Sequence, residues 1–212
     1  MANKVLLFDL DGTLIDSTDA IVESFELALA QNNRPAPSAG EIKALIGHPL
    51  DAMFLELGVP KEQVEVLMTT YRGYYRRICT LKTTMLPFGI EAIKEASSFA
   101  KLGVVTTKLG YYSKILLEHF GVLNLFEIVV GRENVTRPKP HPEPILKAME
   151  AFDKNSHFFM IGDTLLDMDS ALSASITPIG VGCGYQSREV LESSGARVFD
   201  NTLEAVLAIK NF

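Results

Sequence analysis

Two aspartates, Asp9 and Asp11, stand two residues apart at the end of the run Val5-Leu6-Leu7-Phe8-Asp9-Leu10-Asp11-Gly12-Thr13-Leu14. The four apolar residues before Asp9 suit a strand buried on both faces of a parallel sheet. Open sheets of that kind hold their ligands beyond the carboxyl ends of the strands. Residues i and i+2 of an extended segment share a face, so both carboxylates meet the same space. Adjacent carboxylates repel unless a cation or a proton lies between them. The pair therefore predicts metal chemistry, proton transfer, or both.

Three later segments carry residues that belong with this pair. Val104-Val105-Thr106-Thr107-Lys108 puts a hydroxyl where a strand finishes, which by itself reflects only the strand preference of threonine. Arg137-Pro138-Lys139-Pro140-His141-Pro142-Glu143-Pro144 has four prolines in eight residues. They pin a loop around Lys139, and Pro142 suits the first turn of a following helix. Met160-Ile161-Gly162-Asp163-Thr164-Leu165-Leu166-Asp167-Met168-Asp169 is again an apolar strand ending in Gly-Asp. Asp163 and Asp167 share one face if a helix begins there. Asp169 points away and is read as an acid that suits a helix N-terminus. Asp9, Asp11, Asp163 and Asp167 gathered around one lysine would repel strongly without a cation.

In this order the four segments resemble motifs I to IV of the haloacid dehalogenase (HAD) superfamily of phosphohydrolases, and the resemblance covers nearly the whole chain. In detail it is similar to the phosphoglycolate phosphatase branch. The resemblance implies a Mg²⁺-dependent phosphomonoester hydrolase, acting on a small ester such as 2-phosphoglycolate through an aspartyl-phosphate on Asp9. Asp11 would serve as acid and base, Thr106 would hold phosphoryl oxygens, and Lys139 would offset the charge of nucleophile and phosphate. Asp167 would orient the lysine or hold a metal-bound water. Hard oxygen ligands suit Mg²⁺, with Asp9, the Asp11 backbone carbonyl and Asp163 as its ligands. Gly12 and Thr107 are assigned to substrate binding, with Gly47 and His48 as the helical insert's contribution. Thr107 departs from the family pattern, which commonly has Asn there.

Other readings compete. Asp11 argues against the dehalogenases, which typically lack that second Asp, and Ile21 stands where the related sugar-phosphate mutases carry a His. Pyrophosphate, nucleoside monophosphates and sugar phosphates are alternative substrates. From a different class, the competing readings are an Asp-phosphorylated signalling module and a catalytically silent protein of the same fold.

The elements that must position these residues follow from periodicity. After Leu14 the pattern is helical to about Leu81, with helices around Ile21–Leu29, Ala39–Ile46, Pro49–Leu57 and Lys61–Ile78 and no strand among them. Turn chemistry at Gly47-His48-Pro49 and Gly58-Val59-Pro60 separates them. From Pro87 helix and strand alternate, which predicts a parallel sheet covered on both faces. The expected fold is α/β, with a Rossmann-like core over 1–15 and 85–212 and an inserted all-helical cap over 16–84. Tyr71-Arg72-Gly73-Tyr74-Tyr75-Arg76-Arg77 is read as one amphipathic helix face with solvated arginines.

Composition bounds the partners. The chain has 212 residues, a net charge of −6 and 47% hydrophobic content, enough for one good core and a small accessory unit. The acidic balance argues against nucleic acid or an anionic membrane as partner. Cys79 and Cys183 lie far apart, so neither a disulfide framework nor a zinc knuckle is expected. No apolar run reaches membrane-spanning length and no leader pattern is visible. The expectation is a cytoplasmic monomer or homodimer.

Overall fold

The computed structural model of the chain describes residues 3–212. Strand β1 (Lys4–Phe8) leads through a tight turn into the two-residue strand β2 (Ile15–Asp16). Helices α1 (Thr18–Gln31), α2 (Ala39–Lys43), α3 (Leu50–Glu56) and α4 (Lys61–Ile78) follow, and β3 (Thr84–Met85) returns to pair antiparallel with β2. Alternation then begins with α5 (Gly89–Ser97), β4 (Ala100–Val105), α6 (Gly110–His119) and β5 (Ile128–Val130). It continues with α7 (Glu143–Met149), β6 (His157–Gly162), α8 (Leu165–Ser173), β7 (Thr177–Val181), α9 (Arg188–Glu192), β8 (Arg197–Phe199) and α10 (Thr202–Lys210).

The main sheet has strand order β5-β4-β1-β6-β7-β8, and every neighbouring pair is parallel. The chain moves outward from β1 to β4 and β5, then crosses back to β6 on the other side. The order therefore reverses at β1, where a crevice opens at the carboxyl edge. Register fixes what meets there: Phe8 lies opposite Val104 of β4 and Ile161 of β6. Asp9, Thr106 and Asp163 consequently emerge from three adjacent strand ends.

Burial explains why β1 is continuous in its apolar residues. Val5, Leu6, Leu7 and Phe8 are all fully buried. Leu6 and Phe8 join the larger apolar cluster on one face, whereas Val5 and Leu7 join a second cluster on the other with Ile145, Phe158 and Met160. Each such side chain contributes about 1.5–3 kcal/mol by leaving water, so a polar residue at any of these positions would weaken the strand carrying Asp9. The larger cluster also runs into the helical insert through Phe25, Phe54 and Tyr71. The Phe25 and Phe54 rings lie 4.5 Å apart and those of Phe25 and Tyr71 5.0 Å apart.

Several elements depart from the sequence reading. The ribbon of β2 and β3 brackets the helical insert, although no strand was expected next to it. Helix α6 starts at Gly110, three residues before the expected Ser113. Pro142 is the N-cap of α7 and Pro144 lies in its first turn. The last three elements, α9, β8 and α10, had no sequence assignment.

Candidate active site

Lys139 is the hub of the strand-end crevice. Its ammonium lies 3.0 Å from Asp9 Oδ1, pairs with Asp167 Oδ1, and donates to the Val105 carbonyl at 3.1 Å. The lysine is 3% exposed. The proline-rich loop that carries it is held in turn: Ser170 of α8 donates to the His141 carbonyl at 2.9 Å, and the Glu143 carboxylate accepts from Thr136 N and Arg137 N. Such a lysine is fixed, so its charge is available without a search through rotamers.

The acids around it are held by neighbours of different kinds. Asp167 is the N3 residue of a capping box on α8, and its Oδ2 accepts from Thr164 N at 3.1 Å and Thr164 Oγ1 at 2.8 Å. One carboxylate oxygen thus starts the helix and the other orients Lys139. Asp163 lies before that N-cap, outside the helix. Its Oδ1 accepts from Thr13 Oγ1 and its Oδ2 from Tyr185 N, each at 2.9 Å. The shared helix face expected for Asp163 and Asp167 is therefore not what unites them; the strand end and the capping box do so. Asp169 is exposed, as expected for a helix-terminus acid.

Backbone shape leaves no slack around Asp163. Gly12 has φ +82°, and a Cβ there would fall 2.2 Å from Asp163 Oδ2. A Cβ on Gly184 would meet the same oxygen at 2.2 Å. Both glycines let main chain close on the carboxylate where a side chain would not fit.

Asp9, Asp163 and Asp167 each offer a carboxylate oxygen, all within 4.8 Å of one another and all buried. Burial pushes the Asp9 carboxyl up to about 7 from an ordinary 3.8, against the pull of Lys139 and aided by Asp167. Burial, followed by the Asp9 charge, likewise raises Asp163 well above the usual range. Burial disfavours a charged Lys139, but Asp167 and Asp9 outweigh it and hold the ammonium above its ordinary value. Asp9 Oδ1 faces Lys139 without an aligned hydrogen bond. A trio of hard oxygens with an under-coordinated member fits a divalent cation.

Asp11 is arranged differently. Its Oδ1 accepts from the Ser17 hydroxyl and its Oδ2 lies 3.0 Å from the Lys108 ammonium. Lys108 also sits over the Tyr75 ring at 4.8 Å from the centroid. Burial penalises the Lys108 charge, yet Asp11 and the nearby tyrosines raise its pKa well above normal. The Asp11 carboxylate is thus paired with Lys108 and Ser17 and is not a member of the Asp9–Asp163–Asp167 cluster.

Thr106 is buried at the end of β4, and its Oγ1 accepts from Lys108 N at 3.2 Å. The Thr107 hydroxyl donates to the Gly47 carbonyl at 2.8 Å, so the residue standing in place of the usual Asn joins the β4 end to the helical insert. Gly47 packs toward Thr164, where a Cβ would sit 3.1 Å from Thr164 Cγ2. His48 is exposed and lines the mouth of a cavity of about 310 Å³ between insert and sheet.

Sequence reasoning gave no role to Lys108, Thr13, Ser17, Thr164, Tyr185 or Tyr75. The available signal for Lys108 was a lysine two residues past a strand-end hydroxyl. The amphipathic helix expected over Tyr71–Arg77 is present, with Tyr71 and Tyr75 on its buried side and Arg76 and Arg77 solvated, whereas Arg72 is half-buried; Tyr71, Arg72 and Tyr75 also line the cavity.

The family described as "Haloacid dehalogenase-like hydrolase" matches residues 6–181. "Probable phosphatase IndB" of Dickeya dadantii is 32% identical, with 96% of this chain and 91% of the relative covered. "Phosphoglycolate phosphatase" of Colwellia psychrerythraea is 28% identical, with 98% and 97% covered. The crystal structure of "a predicted phosphatase from Clostridium acetobutylicum" superposes with a TM-score of 0.89 at 27% identity, covering 100% of both chains. Among the described residues no helix is long and apolar enough to cross a membrane.

Proposed function

The chain belongs to the haloacid dehalogenase-like hydrolase family, and on that premise we propose that it is a Mg²⁺-dependent phosphomonoester phosphatase with Asp9 as nucleophile. The observation that carries this reading is Lys139 buried between Asp9 and Asp167, with Asp163 beside them, at the sheet's switch point. A cation at these carboxylates, held by Asp9, Asp163 and the Asp11 carbonyl, would supply charge neutralisation for the phosphoryl group.

The chain's own residues account for the rest. An Asp9 oxygen attacks phosphorus as the ester P–O bond breaks, giving an aspartyl-phosphate and an alcohol. Asp11 supplies the proton that the leaving oxygen takes, and is left as the carboxylate paired with Lys108 and Ser17. That carboxylate then removes a proton from water, which attacks the aspartyl-phosphate; Asp9 is regenerated, phosphate departs and Asp11 regains its proton. Lys139 stabilises the nucleophile and the phosphoryl oxygens, joined by Thr106 and backbone N–H groups near Gly12 and Thr107. Asp167 keeps Lys139 aimed.

The helical block at 16–84 acts as a cap over the core formed by 1–15 and 85–212, with Gly47 and His48 facing the substrate. By the resemblance and the name of the Colwellia relative, 2-phosphoglycolate is the first substrate to try. The enzyme would work in the cytoplasm as a monomer or homodimer. The test is phosphate release from 2-phosphoglycolate, pyrophosphate, nucleoside monophosphates and sugar phosphates, with Mg²⁺ or with EDTA, for wild type and Asp9→Asn. Mg²⁺-dependent release that Asp9→Asn abolishes supports the reading; release that persists in the variant removes it.

A further inference from the structure

Two arginines bring uncompensated positive charge to one cavity of an otherwise acidic chain. The cavity between insert and sheet, about 310 Å³, is lined by Asp11, Thr107 and Lys108 but not by Asp9, Lys139 or Asp163. Asp11 is the group assigned to protonate the leaving oxygen, so this space receives the alcohol part of the ester. Arg72, from α4 of the insert, and Arg132, from the core just after β5, line it too. Both backbones are tied down. The Tyr112 hydroxyl donates to the Arg72 carbonyl at 3.0 Å, and Arg132 N donates to the Lys108 carbonyl at 2.9 Å.

Each acid on the cavity wall has its own local counterpart, whereas the two arginines do not. Asp11 pairs with Lys108. Glu133 accepts from Gly110 N at 2.9 Å and Tyr111 N at 3.3 Å at the start of α6. Asp51 lies in the first turn of α3, where the helix dipole favours an acid. Arg132 gives one N–H to the Val135 carbonyl at 3.0 Å and pairs with no carboxylate among the described residues. Arg72 has only Glu65, 3.9 Å away with its side chain 75% exposed, and so loose a surface pair contributes little. Half-buried cations around one space are disfavoured until an anion joins them.

We infer that Arg72 and Arg132 form a subsite for a second phosphate group, carried at the far end of the alcohol part of the substrate. Two guanidinium groups match the charge of a phosphate monoester, roughly −1.5 to −2 at neutral pH. Their planar forks suit its three oxygens. The cavity volume equals roughly ten waters at ~30 Å³ each, about twice the size of a glycolate leaving group. A leaving oxygen, about five carbons and a terminal phosphate fill it. This substrate class rests on the phosphatase reading given above and narrows it.

The test uses esters of one chain length in Mg²⁺: hydroxypentyl phosphate, phosphooxypentanoate and pentamethylene bisphosphate, beside 2-phosphoglycolate. Charge-assisted hydrogen bonds are worth about tenfold or more each. The bisphosphate is therefore expected to exceed hydroxypentyl phosphate in kcat/KM by at least about tenfold, beyond the statistical advantage of two equivalent ends, with phosphooxypentanoate between them. In Arg72→Gln and in Arg132→Gln the KM for the bisphosphate rises about tenfold, while kcat and KM for hydroxypentyl phosphate stay at their wild-type values. Arg72→Lys and Arg132→Lys recover part of the loss. General damage to the fold lowers both rates together, so the ratio of the two is the quantity read. If the variants fold poorly, wild type supplies a second reading, because the bisphosphate advantage shrinks as KCl is raised. Equal kcat/KM with and without the second phosphate, an advantage that survives both Gln variants or added salt, or a preference for 2-phosphoglycolate overturns the inference while the phosphatase reading stands. Release from none of these esters, nor from those named above, removes both.

Discussion

Stability without metal should fall as pH rises through neutrality, because the buried acids tolerate their charge poorly. In the folded protein Asp9 keeps its proton up to about pH 7, whereas its ordinary value is 3.8. Unfolding near pH 6 therefore releases a proton. A raised folded-state pKa means that the stabilisation is complete below about pH 4 and is lost progressively as pH climbs through 7. The gap is about three pH units, and each unit corresponds to about 1.4 kcal/mol, so the full effect approaches 4 kcal/mol. Between pH 5 and 8 roughly 2–3 kcal/mol of it should disappear, which for a chain of this length lowers Tm by about 5–10 °C. Asp163, also raised, acts in the same direction. Lys139 does not interfere, since its raised value only delays a loss that belongs to more alkaline solution. The assay is a thermal-melt series at pH 5, 6, 7 and 8 in EDTA and in millimolar Mg²⁺, for wild type and Asp9→Asn. Tm in EDTA should decline with pH, Mg²⁺ should restore more of it at pH 8 than at pH 5, and Asp9→Asn should flatten the decline. A Tm in EDTA that stays level or rises, or an equal slope in Asp9→Asn, would refute the reasoning.

Other substitutions probe single contacts. Lys108→Met removes the partner of Asp11; kcat should drop at least about tenfold with a displaced pH–rate profile, and Lys108→Arg should recover part of it. An unchanged profile would show that Lys108 only packs. Thr107→Ala deletes the bond to Gly47, worth about 0.5–1.5 kcal/mol. Amide exchange around residues 45–50 should quicken accordingly, and unaltered exchange would deny the link. Gly12→Ala forces a Cβ onto Asp163 in a left-handed backbone. It should cost at least about 1–3 kcal/mol and abolish the stabilisation by Mg²⁺; a normal melt with normal Mg²⁺ dependence would contradict the tight approach.

The parts of the fold legible in the sequence are those set by local pattern. Val5–Phe8 and Phe158–Ile161 are short unbroken apolar runs ending in acids, and both become central strands with Asp9 and Asp163 at their ends. The long period of α4 gave its position directly. The β2–β3 ribbon was invisible because each strand has two residues and the partners are far apart in sequence. After Val181, the polar stretch Gly182–Ser187 and the three-residue β8 offered too little periodicity to read. At the site, the acids and Lys139 could be gathered by motif. The contacts that hold them could not, since Thr13 reaches Asp163 across 150 positions and Tyr112 reaches the Arg72 carbonyl across 40. Pairing of Asp11 with Lys108 and the cavity wall of Tyr71, Tyr75 and Met68 arise only when α4 packs over the strand ends.

The most direct test of the account is covalent trapping. The protein is mixed with a ³²P-labelled ester that it turns over, quenched in acid within milliseconds, and the labelled peptide is sequenced by mass spectrometry. The account predicts a hydroxylamine-sensitive phosphoryl group on Asp9, lost in Asp9→Asn. Label on another residue, or steady turnover with no label at any quench time, would contradict it.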